Sequence, residues 1–549
     1  MVSYDEERQS YKPRVPERFN PVLAIVERWA KERPEDVALL SLDGDGGVVA
    51  RQTSADIAAE SRRVARVLLG LGIGKGDRVL VMLPRVPAWY GAMLGAIRIG
   101  AVPIPCPNQL TSRDIAYRLR SADAMVAVTD FRGAEKFDAI SDELPSLRYR
   151  IRWAPGALKA NDWLDYDVLT NETGDGETPA DPTHRDDPLL IFFTSGTVAN
   201  PKMVMHAQSY GLAHVGTARF WHDLHPGDLH WTVSDTGWAK AAWGGLFGQW
   251  HERATVVQVD MGRPDADTIL RILSEQKLTS FCAPPTLFRL MLQADMKAYD
   301  LSTLRHCTSA GEPLNPEVIR VWREGTNGLT VYDGYGQSES TVLVANYRCL
   351  EVRPGSMGKP VPGYDVSVLD DKGRPALPGV VGHVAVRTEP RPLGLFLEYV
   401  EDEAANADAF RGGWYYTGDK AAIDEDGYFW FEGRSDDVIT SAAYRIGPFE
   451  VESALIEHPA VMEAAVVGRD DPARTQIVCA FVVLAPGWEP SNDLARELQN
   501  HTKELTAPYK YPREIHFVVE LPKTVSGKIR RSELRQRLTS GEFGPAWEG

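Results

Sequence analysis

Apolar and polar positions alternate with two different periods along most of the chain. VLAIVERWAKERP (22–34) and ADIAAESRRVARVLLGLG (55–72) space their apolar residues at helical intervals, which predicts amphipathic helices. DRVLVML (77–83) and AMVAVTD (124–130) are short apolar runs, which predicts buried strands. The same alternation continues through LLIFFTSG, TILRILSEQ, LTSFCAPP and LTVYDGYG. This pattern predicts a parallel-type α/β fold over most of the first part of the chain.

The pattern changes after about Pro354, where short strands alternate with Gly-rich turns in YDVSVLDDKG, GHVAVRTE, GGWYYTGD and DGYFWFEGR. These segments predict a small β-rich subdomain. After Asp436 the helix FEVESALIEHP and the strands EAAVVGR and IVCAFVVL begin a new series, which predicts a separate α+β domain. We therefore predict two domains, 1–435 and 436–549, with their boundary in the polar segment GRSDD.

Bulk properties limit the classes of protein that this sequence suits. The chain has 549 residues, too many for one ordinary core, with 43% hydrophobic and 25% charged residues. Its formal net charge of −16 disfavours nucleic acid as a partner. The five cysteines are scattered without a CxxC pair, which indicates free thiols in a reducing compartment, with no structural metal and no redox cofactor.

Targeting and membrane signals are weak in this sequence. MVSYDEERQSYKPRVPERF at the start is charged and lacks the apolar core of a secretory signal. No apolar run approaches the roughly 18 residues that a membrane span needs. We therefore predict a cytoplasmic protein without integral membrane association, either a monomer or a homodimer.

The segment TSGTVANPK (194–202) follows the apolar strand LLIFF. Its small hydroxyl residues and glycine let backbone N–H groups approach phosphate oxygens, and its lysine adds a positive charge. It lacks the Walker A spacing. Taken alone, an ordinary Ser/Thr/Gly turn after a strand explains it equally well.

Three further segments carry groups suited to a nucleotide. In YDGYGQSEST (332–341), Ser338 and Glu339 offer hard oxygen ligands for Mg²⁺. In YTGD, Asp419 is predicted at a strand end, where it can accept hydrogen bonds from both ribose hydroxyls. In LPKTVSGKIRR, Lys528 lies on a Ser-Gly turn. Each also has an ordinary explanation: a solvated acid, a turn-capping aspartate and a basic surface loop.

Together these segments resemble a known family. TSGTVANPK, SAGEPL, YGQSES, YTGD, GRSDD, YRIGPFEVE and PKTVSGK occur in the order seen in the ANL adenylating superfamily of acyl-CoA synthetases, luciferases and peptide-synthetase adenylation domains. SDTGWAKAAWGG, HCTSAGEPLNPEV, PGSMGKPVPGYDV, YRIGPFEVESALIEHP and TAPYKYPREI are similar to the medium-chain acyl-CoA synthetase family. The resemblance covers nearly the whole chain. It implies a large amino-terminal domain of layered α/β subdomains with a small β-rich one, followed by a small mobile α+β carboxy-terminal domain.

The resemblance also implies roles for individual residues, with ATP, Mg²⁺ and coenzyme A as co-substrates. The catalytic residues implied are Lys528, which contacts the carboxylate and the α-phosphate, Lys202, and the Mg²⁺ ligand Glu339. The ATP-binding residues implied are Thr194, Ser195, Gly196, Thr197, Lys202, Gly311, Glu312, Pro313, Asp333, Gly334, Tyr335, Gly336, Gln337, Ser338, Asp419, Arg434, Arg445 and Lys528. The coenzyme A-binding residues implied are Gln109, Ser441, Ala442, Ala443, Arg474, Tyr509, Lys510 and Tyr511. Trp238, Trp243 and Gly311 lie in segments that resemble the acyl pocket of the family, although a tryptophan is more often part of a core.

The reaction implied has two steps: a carboxylic acid and ATP give acyl-AMP and pyrophosphate, and acyl-AMP and coenzyme A then give acyl-CoA and AMP. Elementary electrostatics agrees, because an anionic carboxylate approaches an anionic phosphate only with cations beside both. Between the steps the carboxy-terminal domain is expected to rotate about Asp436, which exchanges Lys528 for the loop 441–447. We expect medium-chain fatty acids as substrates, with benzoate-like aromatic acids as the alternative.

Three positions depart from the family pattern. Val198 and Ala199 replace a hydroxyl residue and a glycine in the phosphate segment, and Ala443 replaces a glycine beside the expected pantetheine passage. Three other functions stay open from the sequence. They are an adenylating enzyme with another acceptor, a protein that binds ATP without turnover, and a light-emitting oxygenase.

Overall fold

The computed structural model describes residues 1–144, 146–154, 162–174, 178, 183–194, 201–262, 265–441, 444–472, 474–524, 528–543 and 546–547. Within these ranges, none of the helices is both long and apolar enough to cross a bilayer.

Strands run through the whole chain. They are β1 (Val37–Asp43), β2 (Val48–Thr53), β3 (Arg78–Met82), β4 (Val102–Pro105), β5 (Val126–Asp130), β6 (Tyr149–Trp153), β7 (Leu164–Asp165), β8 (Pro188–Phe193), β9 (Met203–Ala207), β10 (Leu229–Thr232), β11 (Thr255–Asp260), β12 (Ser280–Ala283), β13 (His306–Ala310), β14 (Val331–Gly336), β15 (Val342–Ala345), β16 (Ser356–Pro360), β17 (Val366–Leu369), β18 (Gly382–Arg387), β19 (Glu398–Tyr399), β20 (Phe410–Arg411), β21 (Trp414–Ile423), β22 (Phe429–Arg434), β23 (Ile439–Ser441), β24 (Tyr444–Ile446), β25 (Val461–Asp471), β26 (Thr475–Leu484) and β27 (Glu514–Phe517).

Helices alternate with these strands. They are α1 (Tyr4–Ser10), α2 (Arg28–Glu32), α3 (Ser54–Gly70), α4 (Pro87–Arg98), α5 (Ser112–Ala122), α6 (Phe131–Asp138), α7 (Tyr166–Glu172), α8 (Tyr210–Gly216), α9 (Ala239–Gly245), α10 (Gly248–His251), α11 (Ala266–Glu275), α12 (Pro285–Met291), α13 (Pro316–Gly325), α14 (Glu403–Ala409), α15 (Pro448–Ile456), α16 (Asn492–Leu505) and α17 (Arg531–Thr539). Part of the first predicted helix is π-helical, at Val22–Glu27. Short turns of π-helix or 3₁₀-helix also occur at Thr217–Trp221, Ser141–Glu143 and Met296–Ala298.

The largest sheet in the described ranges has the order β17-β18-β21-β22-β16-β15-β14-β13-β12-β10-β11-β1-β2, with β20 beside β21. Strands β14, β13, β12, β10, β11 and β1 are parallel, so their carboxyl ends meet along one edge. Ligands of such sheets bind at that edge. The β-rich strands after Pro354 form the antiparallel end of this same sheet, because β16 hydrogen-bonds to β22.

Two smaller sheets complete the first part of the chain. A parallel sheet has the order β4-β3-β5-β6-β7, and an antiparallel one has the order β19-β9-β8. Strands β3, β5 and β8 are buried along almost their whole length, as their continuous apolar runs predict.

The carboxy-terminal residues form a sheet of their own, β24-β23-β26-β25, with β27 parallel to β26. One buried cluster includes Val451 and Leu455 of α15 and Leu498 of α16, and another includes Leu534 of α17. This arrangement agrees with the α+β pattern predicted for the segment.

Candidate active site

The predicted phosphate segment connects the two strands of the β8–β9 hairpin. Phe193 pairs with Met203, so Thr194 and Lys202 face each other where the hairpin opens. The Thr194 N–H donates to the Lys202 carbonyl at 3.0 Å, and the Lys202 N–H donates to Thr194 Oγ1 at 3.0 Å. These two bonds fix both ends of the loop. The predicted ligands Ser195, Gly196 and Thr197, and the departures Val198 and Ala199, lie outside the described residues.

Lys202 and Glu339 meet at the side chain of Tyr399. Lys202 Nζ lies 4.7 Å from the centre of the Tyr399 ring. The Tyr399 hydroxyl donates to Glu339 Oε1 at 2.9 Å. The predicted phosphate lysine and the predicted metal ligand therefore contact the same aromatic residue. Sequence analysis did not identify Tyr399, because LFLEYV carries no motif.

Glu339 combines burial with several stabilising partners. Burial raises the pKa of its carboxyl, whereas the Tyr399 hydrogen bond and the charges of Arg434 and Lys528 lower it. The carbonyl of the preceding residue, Ser338, accepts a hydrogen bond from His206 Nε2 at 2.7 Å. Burial lowers the pKa of His206 to about 3, so this imidazole is neutral and donates through Nε2. The hydrogen bond fastens the backbone beside Glu339 to β9.

Asp419 lies at the centre of a second polar network. Its side chain is almost fully buried, and Oδ2 accepts hydrogen bonds from the Tyr335 hydroxyl and from Gln337 Nε2, both at 2.6 Å. Gln337 is fixed in turn, since its Oε1 accepts from the Tyr415 hydroxyl at 2.9 Å. The prediction that Asp419 ends a strand is wrong, because β21 continues to Ile423. Gly418, at φ +77°, bends this strand just before Asp419.

Arg434 faces Asp419 across the β21–β22 pair. The two residues are register partners, and Arg434 Nη1 lies 3.4 Å from Asp419 Oδ1. Burial raises the pKa of Asp419 and the Arg434 charge opposes that rise. Arg434 also lies 3.7 Å from the carboxylate of Asp436, the predicted hinge residue. One guanidinium thus connects the predicted ribose site with the predicted hinge.

The predicted adenine segments leave β13 and β14 at the carboxyl edge of the large sheet. Gly311 follows β13 with φ +110°, a backbone conformation that favours glycine. Asp333 lies within β14, where burial raises the pKa of its carboxyl to about 7. Its Oδ1 accepts a hydrogen bond from the Gly334 N–H at 3.0 Å. Glu312 is held beside these residues, and burial raises the pKa of its carboxyl as well.

Lys240 is a charged residue of this site that sequence analysis missed. Its Nζ donates to the Ala310 carbonyl at 2.9 Å, directly before Gly311. Burial lowers the pKa of Lys240, while the charges of Glu312 and Asp333 oppose that change. In the sequence this lysine stands within the apolar segment GWAKAAW, where a single polar residue is usually solvent-exposed.

Lys528 approaches the same site from the carboxy-terminal sheet. Its N–H donates to Thr524 Oγ1 at 3.1 Å, and its carbonyl accepts from the Thr524 N–H at 2.7 Å. The side chain is exposed. Its positive charge lowers the pKa values of Glu312, Glu339 and Asp419 against the rise that burial causes. The exposed lysine therefore acts on three acids of the predicted nucleotide site.

The model of the AMP-binding enzyme family matches residues 26–400, and that of the AMP-binding enzyme C-terminal domain matches residues 450–528. The chain belongs to the AMP-binding enzyme family. Acyl-coenzyme A synthetase ACSM3, mitochondrial, of Mus musculus is 42% identical over 545 residues, which cover 97% of this chain and 93% of the relative. Acyl-coenzyme A synthetase ACSM5, mitochondrial, of Homo sapiens is 44% identical over 533 residues, which cover 95% and 91%.

A solved member of the AMP-binding enzyme family shares the fold. The crystal structure of the anthranilate CoA ligase AuaEII in complex with anthranoyl-AMP matches with a TM-score of 0.88 and 31% identity. The match covers 96% of this chain and 99% of that one. Together with the two relatives, it confirms the predicted α/β fold and the predicted likeness to the medium-chain acyl-CoA synthetases.

The prediction of a cytoplasmic protein is contradicted, because both AMP-binding relatives are named as mitochondrial. That prediction relied on the absence of an apolar core near the amino terminus. Mitochondrial transit segments are amphipathic and Arg-rich rather than apolar, so that absence does not exclude them.

The residues predicted to contact coenzyme A lie on both parts of this AMP-binding enzyme. Gln109 is exposed on the large part and hydrogen-bonds to Asp235. Ser441 ends β23 and pairs with Thr475, and Arg474 lies between β25 and β26, where its N–H donates to Asp471 Oδ1 at 2.8 Å. The remaining three follow α16: Tyr509 stacks on Tyr444 with ring centroids 3.9 Å apart, Lys510 ion-pairs with Glu450, and the Tyr511 hydroxyl accepts from Arg513 at 3.0 Å. Ala442 and Ala443 lie outside the described residues, and Arg445 pairs with Thr440 in β24.

The residues predicted to line the acyl pocket differ in burial. Trp238 precedes α9 and is partly exposed, which suits a pocket wall. Trp243 is 4% exposed, and its Nε1 donates to the Tyr210 hydroxyl at 3.3 Å. Its ring also lies close to Gly336, where an added Cβ would come within 3.0 Å of it. Trp243 therefore packs against the strand that carries the YGQSES motif.

Proposed function

We propose that this chain is an ATP-dependent acyl-CoA synthetase that acts on medium-chain fatty acids. The fatty acid carboxylate attacks the α-phosphorus of ATP, which gives acyl-AMP and pyrophosphate. The thiol of coenzyme A then attacks the acyl carbonyl, which gives acyl-CoA and releases AMP. The observation that carries this proposal is a set of contacts in a chain of this family: Lys202 and Glu339 share Tyr399, Arg434 faces Asp419, and the charge of Lys528 acts on both acids.

The ribose site supports nucleotide binding. Asp419 Oδ2 already accepts two hydrogen bonds, so Tyr335 and Gln337 hold the carboxylate in one orientation. Arg434 stands opposite, and its charge opposes the rise in the pKa of Asp419 that burial causes. In its ionised form, an aspartate oriented in this way accepts hydrogen bonds from both ribose hydroxyls without rearranging.

The residues present also fit Mg²⁺. Glu339 offers a hard oxygen ligand, and the Tyr399 hydroxyl orients its carboxylate. We propose Glu339 as the protein ligand of a Mg²⁺ ion that would neutralise charge on the departing pyrophosphate. Lys202, which lies over the same tyrosine ring, would bind the phosphate oxygens beside it.

Lys528 supplies positive charge where two anions must meet. The carboxylate and the α-phosphate repel each other, and an ammonium group between them stabilises the charge of the transition state. The influence of Lys528 on Glu312, Glu339 and Asp419 supports this placement. We propose that this lysine serves adenylation alone, since in the second step the coenzyme A sulfur, having lost its proton, attacks a neutral acyl carbonyl and not an anionic phosphate.

We propose that the boundary between the two domains lies at 435/436 and that Asp436 is the hinge. The ion pair between Arg434 and Asp436 supports this, because rotation about the hinge changes the surroundings of the ribose-binding arginine. After rotation, Ser441 and Arg474 would bind coenzyme A together with Tyr509 and Lys510. Gln109 would complete that site from the large domain.

Aromatic acids are not favoured as substrates. The anthranilate ligase is 31% identical to this chain, whereas the acyl-coenzyme A synthetases are 42% and 44% identical. Chain length is set by contacts worth only about 1–3 kcal/mol per methylene, so it requires a direct assay.

A panel of acids tests the proposal. We would incubate the enzyme with MgATP, coenzyme A and acids from acetate to dodecanoate, with benzoate and phenylacetate, and quantify acyl-AMP and acyl-CoA by mass spectrometry. We expect acyl-CoA, with a maximum at medium chain lengths. Acyl-AMP without acyl-CoA would contradict coenzyme A as the acceptor, and the absence of both products would leave a protein that binds ATP without turnover.

A further inference from the structure

The two proposed domains touch where α13 faces α15. Asn315 precedes α13 and is 1% exposed. Its Oδ1 accepts a hydrogen bond from the Glu317 N–H at 2.7 Å, which caps the helix. Its Nδ2 donates to the backbone carbonyl of Ser453, within α15, at 3.3 Å. One buried amide therefore caps a helix of the large domain and bonds to a helix of the small one.

The fit beside this hydrogen bond is close. Gly447 precedes α15, and an added Cβ would lie 2.2 Å from the Glu432 carbonyl oxygen of β22. The rings of Phe431 and Phe449 meet edge to face, with centroids 6.3 Å apart. A contact this tight between β22 and α15 defines one position of the small domain and does not tolerate gradual displacement.

Of two charged pairs across the same contact between the domains, one attracts and the other repels. Lys523 of the small domain lowers the pKa of Glu312 of the large domain, so these charges attract each other. Glu317 of the large domain raises the pKa of Glu457 of the small domain, so these charges repel. Asn315 lies two residues from Glu317, at the repelling end. The hydrogen bond from Asn315 to Ser453 therefore joins the two domains at a position where the charges of Glu317 and Glu457 repel each other.

We propose that Asn315 is a positioning residue for adenylation. Through its amide donor it stabilises the domain arrangement that brings Lys528 to the nucleotide site, and it takes no part in thioester formation. The inference rests on the proposed function, because it requires that Lys528 serve only the first step. Removal of the donor lowers the population of the adenylating arrangement without changing either active-site surface.

The test is Asn315→Asp, which keeps the capping oxygen and the shape of the side chain but removes the donor. Adenylation is followed as pyrophosphate release, and thioester formation is followed from supplied acyl-AMP and coenzyme A. We expect adenylation to fall by about 10-fold or more, because the variant loses one hydrogen bond and places a buried carboxylate opposite the Ser453 carbonyl, with thioester formation unchanged. The matched control is Asn327→Asp at the other end of α13, an exposed position with φ +54° that aspartate tolerates. It should change neither step.

Asn315→Ser provides an independent second variant, since serine also caps a helix but lacks the amide donor. The same split is expected, with thermal unfolding confirming that each variant is folded. An equal fall in both steps, or no fall in either, would overturn the role of Asn315. Lys528→Ala is measured alongside. If it lowers both steps equally, the proposed function fails, whereas a split for Lys528→Ala without one for Asn315→Asp rejects only the positioning role.

Discussion

Asp419 and Lys528 are held in opposite ways. Asp419 is 4% exposed within a long strand, and Tyr335, Gln337 and Arg434 all contact its carboxylate. Lys528 is exposed on a loop of the carboxy-terminal sheet, where Thr524 bonds to its backbone. In the proposed mechanism this difference has a reason: Asp419, needed in both steps, is fixed in the large domain, whereas Lys528, needed in one step, lies on the domain proposed to rotate.

Lys528→Ala should have the largest effect, and it tests whether Lys528 and Asp419 serve different steps. Because the proposed role of the lysine is to stabilise charge only while carboxylate and phosphate meet, we expect adenylation to fall by about 10²–10³, the loss measured for one oxyanion-stabilising donor. Thioester formation from supplied acyl-AMP should stay within about 3-fold of the wild type. Both rates would be measured in single turnovers. Lys528→Arg, which keeps the charge, should recover part of the adenylation, and equal loss of both steps would contradict the division between the domains.

Asp419→Asn tests the other side of the comparison. Loss of a charged acceptor costs about 1.5–3 kcal/mol, so kcat/KM should fall by about 10- to 100-fold. Both half-reactions should fall, because the same ribose is bound in each. Asp426→Asn, an exposed acid in the turn between β21 and β22, is the matched control. A fall confined to one half-reaction would show that Asp419 does not hold the ribose throughout.

Tyr399→Phe tests whether the Tyr399 hydroxyl helps Glu339 to bind Mg²⁺. The Tyr399 hydrogen bond lowers the pKa of Glu339, so its loss raises that pKa further. Glu339 must be ionised to bind Mg²⁺, and the acid limb of the adenylation pH profile should therefore move to higher pH. The Mg²⁺ concentration for half-maximal rate should rise by about 3- to 10-fold, as expected for one hydrogen bond. The Phe ring remains beneath Lys202, so an unchanged profile would remove Tyr399 from metal binding.

The last prediction concerns the stability of the nucleotide-free enzyme and not its catalytic rate. Burial raises the pKa of Asp333 from 3.8 to about 7, so the folded state binds this proton more tightly than the unfolded chain. Its contribution to stability is full below the unfolded value and is lost as the pH rises to about 7. Asp333→Asn should therefore be more stable than the wild type at pH 8, by roughly 4 kcal/mol for a pKa shift from 3.8 to about 7, with the difference closing toward pH 4. Thermal unfolding at both pH values measures this, and a constant difference would contradict it.

Much of the site was predictable from the sequence because each predicted group lies in a motif of its own. Asp419 belongs to YTGD and Arg434 to GRSDD, and both meet in the structure because β21 pairs with β22. Tyr399 and Lys240 were missed for a physical reason. Each lies in a mostly apolar run without a motif, and its proposed role arises only from a contact distant in sequence, to Glu339 or to Ala310.

Strand pairing brings together other residues that linear spacing does not connect. Cys479 lies opposite Glu514 in the β26–β27 pair, and His516 follows on the same face, so that ligand atoms of all three lie within 4.8 Å of one another. No spacing in the sequence indicates this group. The ion pair between Arg469 and Glu514 already balances the one acidic charge there.

The contact between the two proposed domains was likewise not predictable from spacing in the sequence. Asn315 caps α13 through a local hydrogen bond, from the Glu317 N–H to its own side-chain oxygen. Its second hydrogen bond, to Ser453, depends on how two separately folded regions meet. Local patterns record the propensity of each region, while contacts across a domain boundary depend on the assembled fold.

The most direct test of the account is whether acyl-AMP forms before coenzyme A is present. We would mix enzyme with MgATP and labelled octanoate, quench samples in time, and then add coenzyme A with an excess of unlabelled acid. The account predicts about one equivalent of labelled acyl-AMP with matching pyrophosphate, followed by transfer of that label to acyl-CoA despite the excess of unlabelled acid. Label that appears in acyl-CoA without prior acyl-AMP, or acyl-AMP that exchanges before transfer, would contradict the two-step mechanism.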